Sequence, residues 1–256
     1  MYDAFGDSYD HFVNWSERLS FELPFIRRQL ESLTPSGGPV SILDAASATG
    51  RHAIALAKSG YRVAAADLSP EMTRLASENA RRAGVSLTTR AAGFGSLAGA
   101  FGSTRFDAVL CLGNSLPHLT SLSEVGNALT DFANCLRPGG LLLIQNRNFD
   151  RVLAEKLRWM EPQEATTGDR EMLFMRFYDF LPTGLIDFHV VIFQRMPGEG
   201  WTQRVLTTHL YPLTQPELSA AVQSAGFGDV HLYGNMNGEE FSPASSGNLI
   251  LVGRKE

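Results

Sequence analysis

The sequence predicts an α/β fold: a mostly parallel, seven-stranded sheet with helices on both faces, interrupted by a small antiparallel β insertion. Three observations predict it. From residue 40 to residue 150, short apolar runs alternate with segments of helical periodicity, the pattern of a parallel sheet covered on both faces. Beyond Asp150 this rhythm gives way to three consecutive strand-like runs separated by turn residues. A chain of 256 residues can also bury one large core, so 1–256 reads as a single domain.

Residues 11–34 have helical spacing, with Trp15, Leu19, Leu23 and Ile26 along one face. The breaker cluster Thr34-Pro35-Ser36-Gly37-Gly38-Pro39 closes this N-terminal helical cap, 1–38. Strand 40–44 leads to helix 50–59, and strand 61–66 leads to a helix opened by Ser69-Pro70. Ser69 suits the N-cap, and Pro70 suits the first helical position, where an N–H has no intrahelical partner. Strand 85–90 precedes a glycine-rich loop reaching Gly102, then the buried strand Phe106–Leu112. Val125, Ala128, Leu129, Phe132 and Leu136 mark a helix that Arg137-Pro138-Gly139-Gly140 ends before strand Leu141–Gln145.

Strands at 171–180, 185–195 and 201–211 form the insertion, 165–212, with Ile186, Phe188, Val190 and Ile192 alternating along the middle one. Helix 215–225 stops at Gly226, and strands 229–233 and 248–254 complete the sheet. The insertion leaves the carboxyl end of the fifth strand, where open α/β sheets bind ligands, so it is expected to act as a substrate lid. The alternative is a dimerisation ribbon giving a homo-oligomer, and the two roles are compatible.

Composition narrows the function classes. The net charge is −5, from 22 Lys and Arg against 27 Asp and Glu. The cations are scattered, without the basic stripe that phosphate-backbone binding requires, which disfavours nucleic acid. The aliphatic runs Ala108–Leu112 and Leu141–Ile144 are too short to span a bilayer. The segment MYDAFGDSYDHF has neither a basic nor an apolar leader region, so a cytoplasmic location is expected. Cys111 and Cys135 lack metal-ligand spacing and read as buried free thiols, and no metal is expected.

The most informative stretch is Ile42 to Asp67, ILDAASATGRHAIALAKSGYRVAAAD. It places Asp44 and Asp67 at the carboxyl ends of neighbouring strands, around a small-residue turn, which suggests a site for a nucleoside-bearing cofactor. Only Gly50 survives of the dinucleotide-binding glycine pattern, and an acid ahead of the loop would repel a pyrophosphate. A cofactor with a cationic amino-acid end fits better, and S-adenosylmethionine is such a molecule.

The order DAASATG, Asp67, LCLGNSLPHL and LRPGGLLLI, followed by a carboxyl-terminal hairpin, resembles the Rossmann-like class I S-adenosylmethionine-dependent methyltransferases. GNSLPHL at 113–119 and NRNFD at 146–150 are similar to segments of glycine and sarcosine N-methyltransferases. The resemblance implies Asp44 and Arg18 at the two charges of the cofactor's amino-acid end. It implies Asp67 on the ribose hydroxyls, Leu68 and Met72 beside the adenine, and Gly93 and Phe94 at its edge. Ala46, Ser47 and Gly50 would let the backbone pass close to the cofactor. Ala48 stands where the family usually has glycine, and a left-handed backbone there would be strained.

Leu112, Gly113 and His118 would complete the cofactor site, and Asn114 would face both the methyl group and the acceptor. Arg147 would grip an acceptor carboxylate and Tyr211 would lie near the acceptor amine, with Tyr2 and Tyr9 as candidate lid residues. Phe177 and Phe241 stand where hydroxyls would be expected. The implied activity is N-methylation of a small amine or amino acid. The alternatives are O-methylation of a small acid or phenol, and a cofactor-binding regulator without chemistry.

Overall fold

The computed structural model describes Asp10, residues 13–33 and residues 38–256. Helix α1 (Trp15–Glu31) precedes the alternating half: β1 (Ser41–Asp44), α2 (Arg51–Lys58), β2 (Arg62–Asp67), α3 (Pro70–Arg82), β3 (Thr88–Ala91) and α4 (Leu97–Phe101). β4 (Phe106–Cys111), a single 3-10 turn (Leu116–His118), α5 (Leu122–Cys135), β5 (Leu136–Arg147) and α6 (Phe149–Glu155) follow. The insertion comprises β6 (Gln163–Thr167), β7 (Arg170–Phe180), β8 (Ile186–Arg195) and β9 (Thr202–Leu210). Then come α7 (Gln215–Ser224), β10 (Phe227–Tyr233) and β11 (Asn248–Lys255).

The seven-stranded sheet has the order β10-β11-β5-β4-β1-β2-β3. Strands β1 to β5 are parallel, and β11 runs antiparallel between β5 and β10. Strand order reverses between β1 and β4, which opens a crevice at their carboxyl ends. Every residue of β4 is buried, as expected for a central parallel strand covered on both faces. Val109, Leu142 and Ile144 join Phe132 and Leu251 in one apolar cluster, while Leu110, Leu143 and Ile250 join Phe25 and Ile26 in the other. Alternate residues of each strand thus feed opposite faces. At the amino ends, buried Asp107 accepts the Ser41 N–H and hydroxyl at 2.7 Å each and pairs with Arg137 at 2.6 Å, so its charge is compensated.

Several local expectations are corrected. The buried stripe of α1 is Glu22, Phe25, Ile26 and Leu30, rotated from the predicted face because an acid occupies one buried position. The Arg137–Gly140 segment lies inside β5 and shifts its register against β4; a Cβ on Gly140 would sit 2.8 Å from the Arg137 carbonyl oxygen. The glycine-rich loop contains α4, and the insertion is a separate four-stranded antiparallel sheet, β6-β7-β8-β9, rather than three strands. Ser69 caps α3 as expected, accepting the Met72 N–H at 3.1 Å. Both cysteines are buried thiols. Among the described residues no helix is long and apolar enough to cross a membrane, and no His, Cys, Asp and Glu group could hold a metal ion.

Candidate active site

The turn between β1 and α2 is pinned from both sides. Ala45 N–H donates to Leu110 O at 2.8 Å and Ser47 N–H donates to Ala66 O at 2.9 Å, which ties the turn to β4 and β2. Ala48 adopts φ 45° and donates its N–H to Asp67 Oδ2 at 2.9 Å. Gly50 adopts φ 79°, and a Cβ there would lie 3.0 Å from the Ala76 Cβ, so it admits α3 closely. Asp67 Oδ1 also accepts the Ser69 N–H at 2.9 Å. Asp67 also lines the crevice, where a carboxylate acts as a hydrogen-bond acceptor.

This turn forms one wall of a cavity of about 390 Å³, a volume typical of a small-ligand site. Asp44, Ala46, Ser47, Asp67, Leu68, Met72, Gly93, Phe94, Leu112, Gly113, His118 and Arg18 all line it. Of the residues expected to bind the cofactor, only Gly50 stands off the wall, where it shapes the turn. Sequence reasoning missed Trp15, Ala45, His52, Ser115, Leu119 and Thr208 as lining residues. Trp15 and His52 meet edge to face with centroids 5.6 Å apart, a pairing between α1 and α2 that no local pattern signals.

The electrostatics come from a buried network under the cavity. Glu22, 4% exposed, accepts Arg18 Nε at 3.1 and 3.2 Å and meets His52 Nε2 at 2.6 Å. Burial pushes its pKa up, but the His52 hydrogen bond and the Arg18 charge outweigh this and hold it at about 2. Asp44 behaves oppositely: burial raises it to about 6, assisted by Asp67 and opposed by His52 and Arg18. Burial lowers His118 to about 4, so its imidazole is neutral at neutral pH.

The three residues expected to handle the acceptor stand off this wall. Asn114 adopts φ 66°; its Oδ1 accepts the Arg147 N–H at 2.9 Å, and its own N–H donates to Gln145 O at 3.0 Å. It braces the loop whose neighbours Gly113 and Ser115 reach the cavity. Arg147 lies over the Tyr178 ring at 5.9 Å, with a buried Nε lacking a hydrogen-bond partner among the described residues. Arg176 lies close enough that its pKa is lowered, first by burial and then by the Arg147 charge. The Tyr211 hydroxyl donates to Glu217 Oε1 at 2.7 Å, within the cap of α7. Phe177 stacks on His189 at 4.7 Å and Phe241 packs on the main core. Tyr2 and Tyr9 lie outside the described residues.

The cavity fits a ligand with a zwitterionic end and a flat apolar body. Asp44 and Arg18 line it with opposite charges, and Leu68, Met72 and Phe94 line it with apolar side chains. Ser47 Oγ is buried with no partner among the described residues, leaving a hydroxyl free for a ligand.

Comparisons with known proteins agree with this geometry. Residues 42–140 match a methyltransferase domain family. The chain is 31% identical over 254 residues to a glycine/sarcosine N-methyltransferase of Aphanothece halophytica, covering 99% of this chain and 89% of that protein. A glycine/sarcosine N-methyltransferase of Halorhodospira halochloris is 36% identical over 151 residues, 59% of this chain and 54% of that protein. The structure of S-adenosylmethionine-bound CalS10, an amino pentose methyltransferase from Micromonospora echinaspora, superposes with a TM-score of 0.72 at 17% identity, covering 99% of this chain and 97% of that one. With a match over nearly its whole length, the chain belongs to the glycine/sarcosine N-methyltransferase family of class I S-adenosylmethionine-dependent methyltransferases.

Proposed function

We propose that the enzyme methylates the nitrogen of a small amine that carries a carboxylate, with glycine and sarcosine as the first acceptors to test. The observation that carries this reading is Arg147: a guanidinium at the carboxyl end of β5, with a buried unpartnered Nε and no ion pair among the described residues. Its neighbour Arg176 adds a second positive charge, so the local field favours an anion. A planar guanidinium orients a carboxylate by two parallel donors as well as attracting it. The glycine/sarcosine relatives support an acceptor of this kind.

Asp44 holds the ammonium of the cofactor and Arg18 its carboxylate, while Asp67 accepts from the ribose hydroxyls. Leu68, Met72, Gly93 and Phe94 enclose the adenine. When bound, S-adenosylmethionine supplies an electrophilic sulfonium methyl group. The chain's own part is alignment: Arg147 anchors the acceptor, and the Leu112–Asn114 loop fixes the approach of its neutral amine. Such alignment supplies about 7–11 kcal/mol in favourable cases. The β6–β9 sheet serves as a lid over the acceptor, a role supported by Thr208 of β9 on the cavity wall.

The test is an acceptor panel of amino acids, simple amines, amino sugars and phenols, with isotopically labelled cofactor and product mass as readout. Label on the nitrogen of carboxylate-bearing amines is expected. Label on oxygen, or a preference for amines without a carboxylate, would overturn the proposal.

A further inference from the structure

We propose that Gln145 is a positioning residue: one buried carboxamide that holds both the arginine for the cofactor's carboxylate and the loop beside the methyl group. The inference rests on the assignment of Arg18 to that carboxylate. Gln145 lies near the end of β5 and is 8% exposed. Its Oε1 accepts the Gly113 N–H at 3.1 Å and Arg18 Nη2 at 3.4 Å. Its Nε2 donates to Glu22 Oε1 at 2.8 Å, and Glu22 in turn grips Arg18 Nε. The backbone carbonyl of Gln145 accepts the Asn114 N–H at 3.0 Å. A single residue of β5 therefore reaches α1 on one side and the loop after β4 on the other.

The chemistry demands an amide here. The Gly113 N–H and the Arg18 guanidinium need an acceptor, while the ionised Glu22 carboxylate needs a donor, and the primary amide of Gln145 presents both, on separate atoms of one terminus. A carboxylate at this position would oppose Glu22. An apolar side chain would strand the Gly113 N–H and leave Glu22 Oε1 with the Arg18 Nε donor alone, which is costly in a buried site. Gly113 completes the fit: it adopts φ 73°, and a Cβ there would lie 3.3 Å from Arg18 Nη2, so the guanidinium rests against the loop itself. Arg18 and the loop are consequently set at a fixed separation, as a cofactor spanning both requires.

The decisive measurement is a double-mutant cycle on the dissociation constant for S-adenosylhomocysteine, in the full-length protein. Gln145→Leu is expected to weaken binding about tenfold, with Arg18→Ala weakening it further, and the double variant weaker than Arg18→Ala alone but by clearly less than the product of the two losses, because only the loop contact remains to be lost. Losses that multiply, or a Gln145→Leu constant within about twofold of wild type, would overturn the proposal. An Arg18→Ala constant equal to wild type would overturn the arginine assignment itself, and the proposal with it.

Gln145→Glu covers the case in which the apolar variant fails to fold. The groups facing position 145 are Glu22 and Arg18 of α1, with His52 of α2 and Asp44 of β1 behind them. The introduced carboxyl can share a proton with Glu22 only at lower pH. The ratio of variant to wild-type dissociation constants is therefore expected to narrow as pH falls from about 8 to about 6. A ratio independent of pH would overturn the proposal, since a purely structural defect has no reason to follow a proton.

Discussion

The N–H of Ala48 donates to Asp67 Oδ2 at 2.9 Å while Ala48 itself is held at φ 45°. The same carboxylate that faces the crevice therefore also holds an alanine in a left-handed conformation. That conformation costs an L-residue about 1–2 kcal/mol, whereas glycine adopts it freely but loses about 0.5–1 kcal/mol more on ordering. Ala48→Gly is expected to stabilise the protein by about 0.5 kcal/mol, raising the melting temperature by about 1–2 °C. Scanning calorimetry checks this, and an unchanged or lower midpoint would mean that the turn is unstrained.

Asp44 sets a pH dependence with two opposite signs. Its folded pKa, raised by burial to about 6, exceeds the ordinary value of 3.8. The folded protein therefore holds the proton more tightly, a stabilisation fully present below about pH 4 and lost as pH rises through about 6. Above that range the buried charge destabilises the free protein, by an amount of order 2–3 kcal/mol. Binding an ammonium reverses the preference, since it requires the carboxylate. Asp44→Asn is expected to unfold at higher urea than wild type near pH 8 and to bind S-adenosylhomocysteine more weakly. Wild-type affinity should fall below about pH 6, with proton release on binding there, visible as buffer-dependent heat in titration calorimetry.

Two levels of the site differed in how legible they were. Asp44, Asp67 and the Ser69-Pro70 cap were readable because short-range rules fix them: strand runs end at the acids, and the cap lies two residues beyond the second. The Glu22–Gln145 bond joins residues 123 apart in sequence, and the His52–Glu22 contact joins residues 30 apart. Neither leaves a periodic trace. A buried acid in α1 instead looks like a solvent position, which rotated the predicted face. Tyr211 has a partner that the sequence did not signal. The resemblance implies an acceptor role, and its hydroxyl donates to Glu217, six residues on.

Arg147 should separate acceptor binding from cofactor binding. Removing a charged hydrogen-bonding partner costs about 1.5–3 kcal/mol, or about 10- to 150-fold. Arg147→Ala is expected to lower kcat/KM by at least that factor while leaving the S-adenosylhomocysteine dissociation constant within about twofold. Arg147→Lys should recover little of the loss, because an ammonium cannot reproduce the two parallel donors. Steady-state kinetics and calorimetry on the same preparations measure both quantities. Equal loss of both would remove Arg147 from the acceptor site.

Leu68 and Met72 line the same wall yet stand in opposite relation to solvent: Leu68 is 79% exposed, and Met72 is fully buried. A leucine left that open contributes little to the folded state of the free protein. It loses its contact with water only when a flat apolar group lies across it, and full burial of such a side chain is worth about 1.5–3 kcal/mol. Partial cover by an adenine then corresponds to about five- to tenfold in affinity, by the tenfold per 1.4 kcal/mol relation. Leu68→Ala is expected to weaken S-adenosylhomocysteine binding by that factor and leave the urea midpoint of the free protein unchanged. Met72 packs against its neighbours with or without ligand, so Met72→Ala should destabilise the free protein by about 2–5 kcal/mol. If Leu68→Ala instead unfolds the protein and spares binding, the adenine lies elsewhere on the crevice.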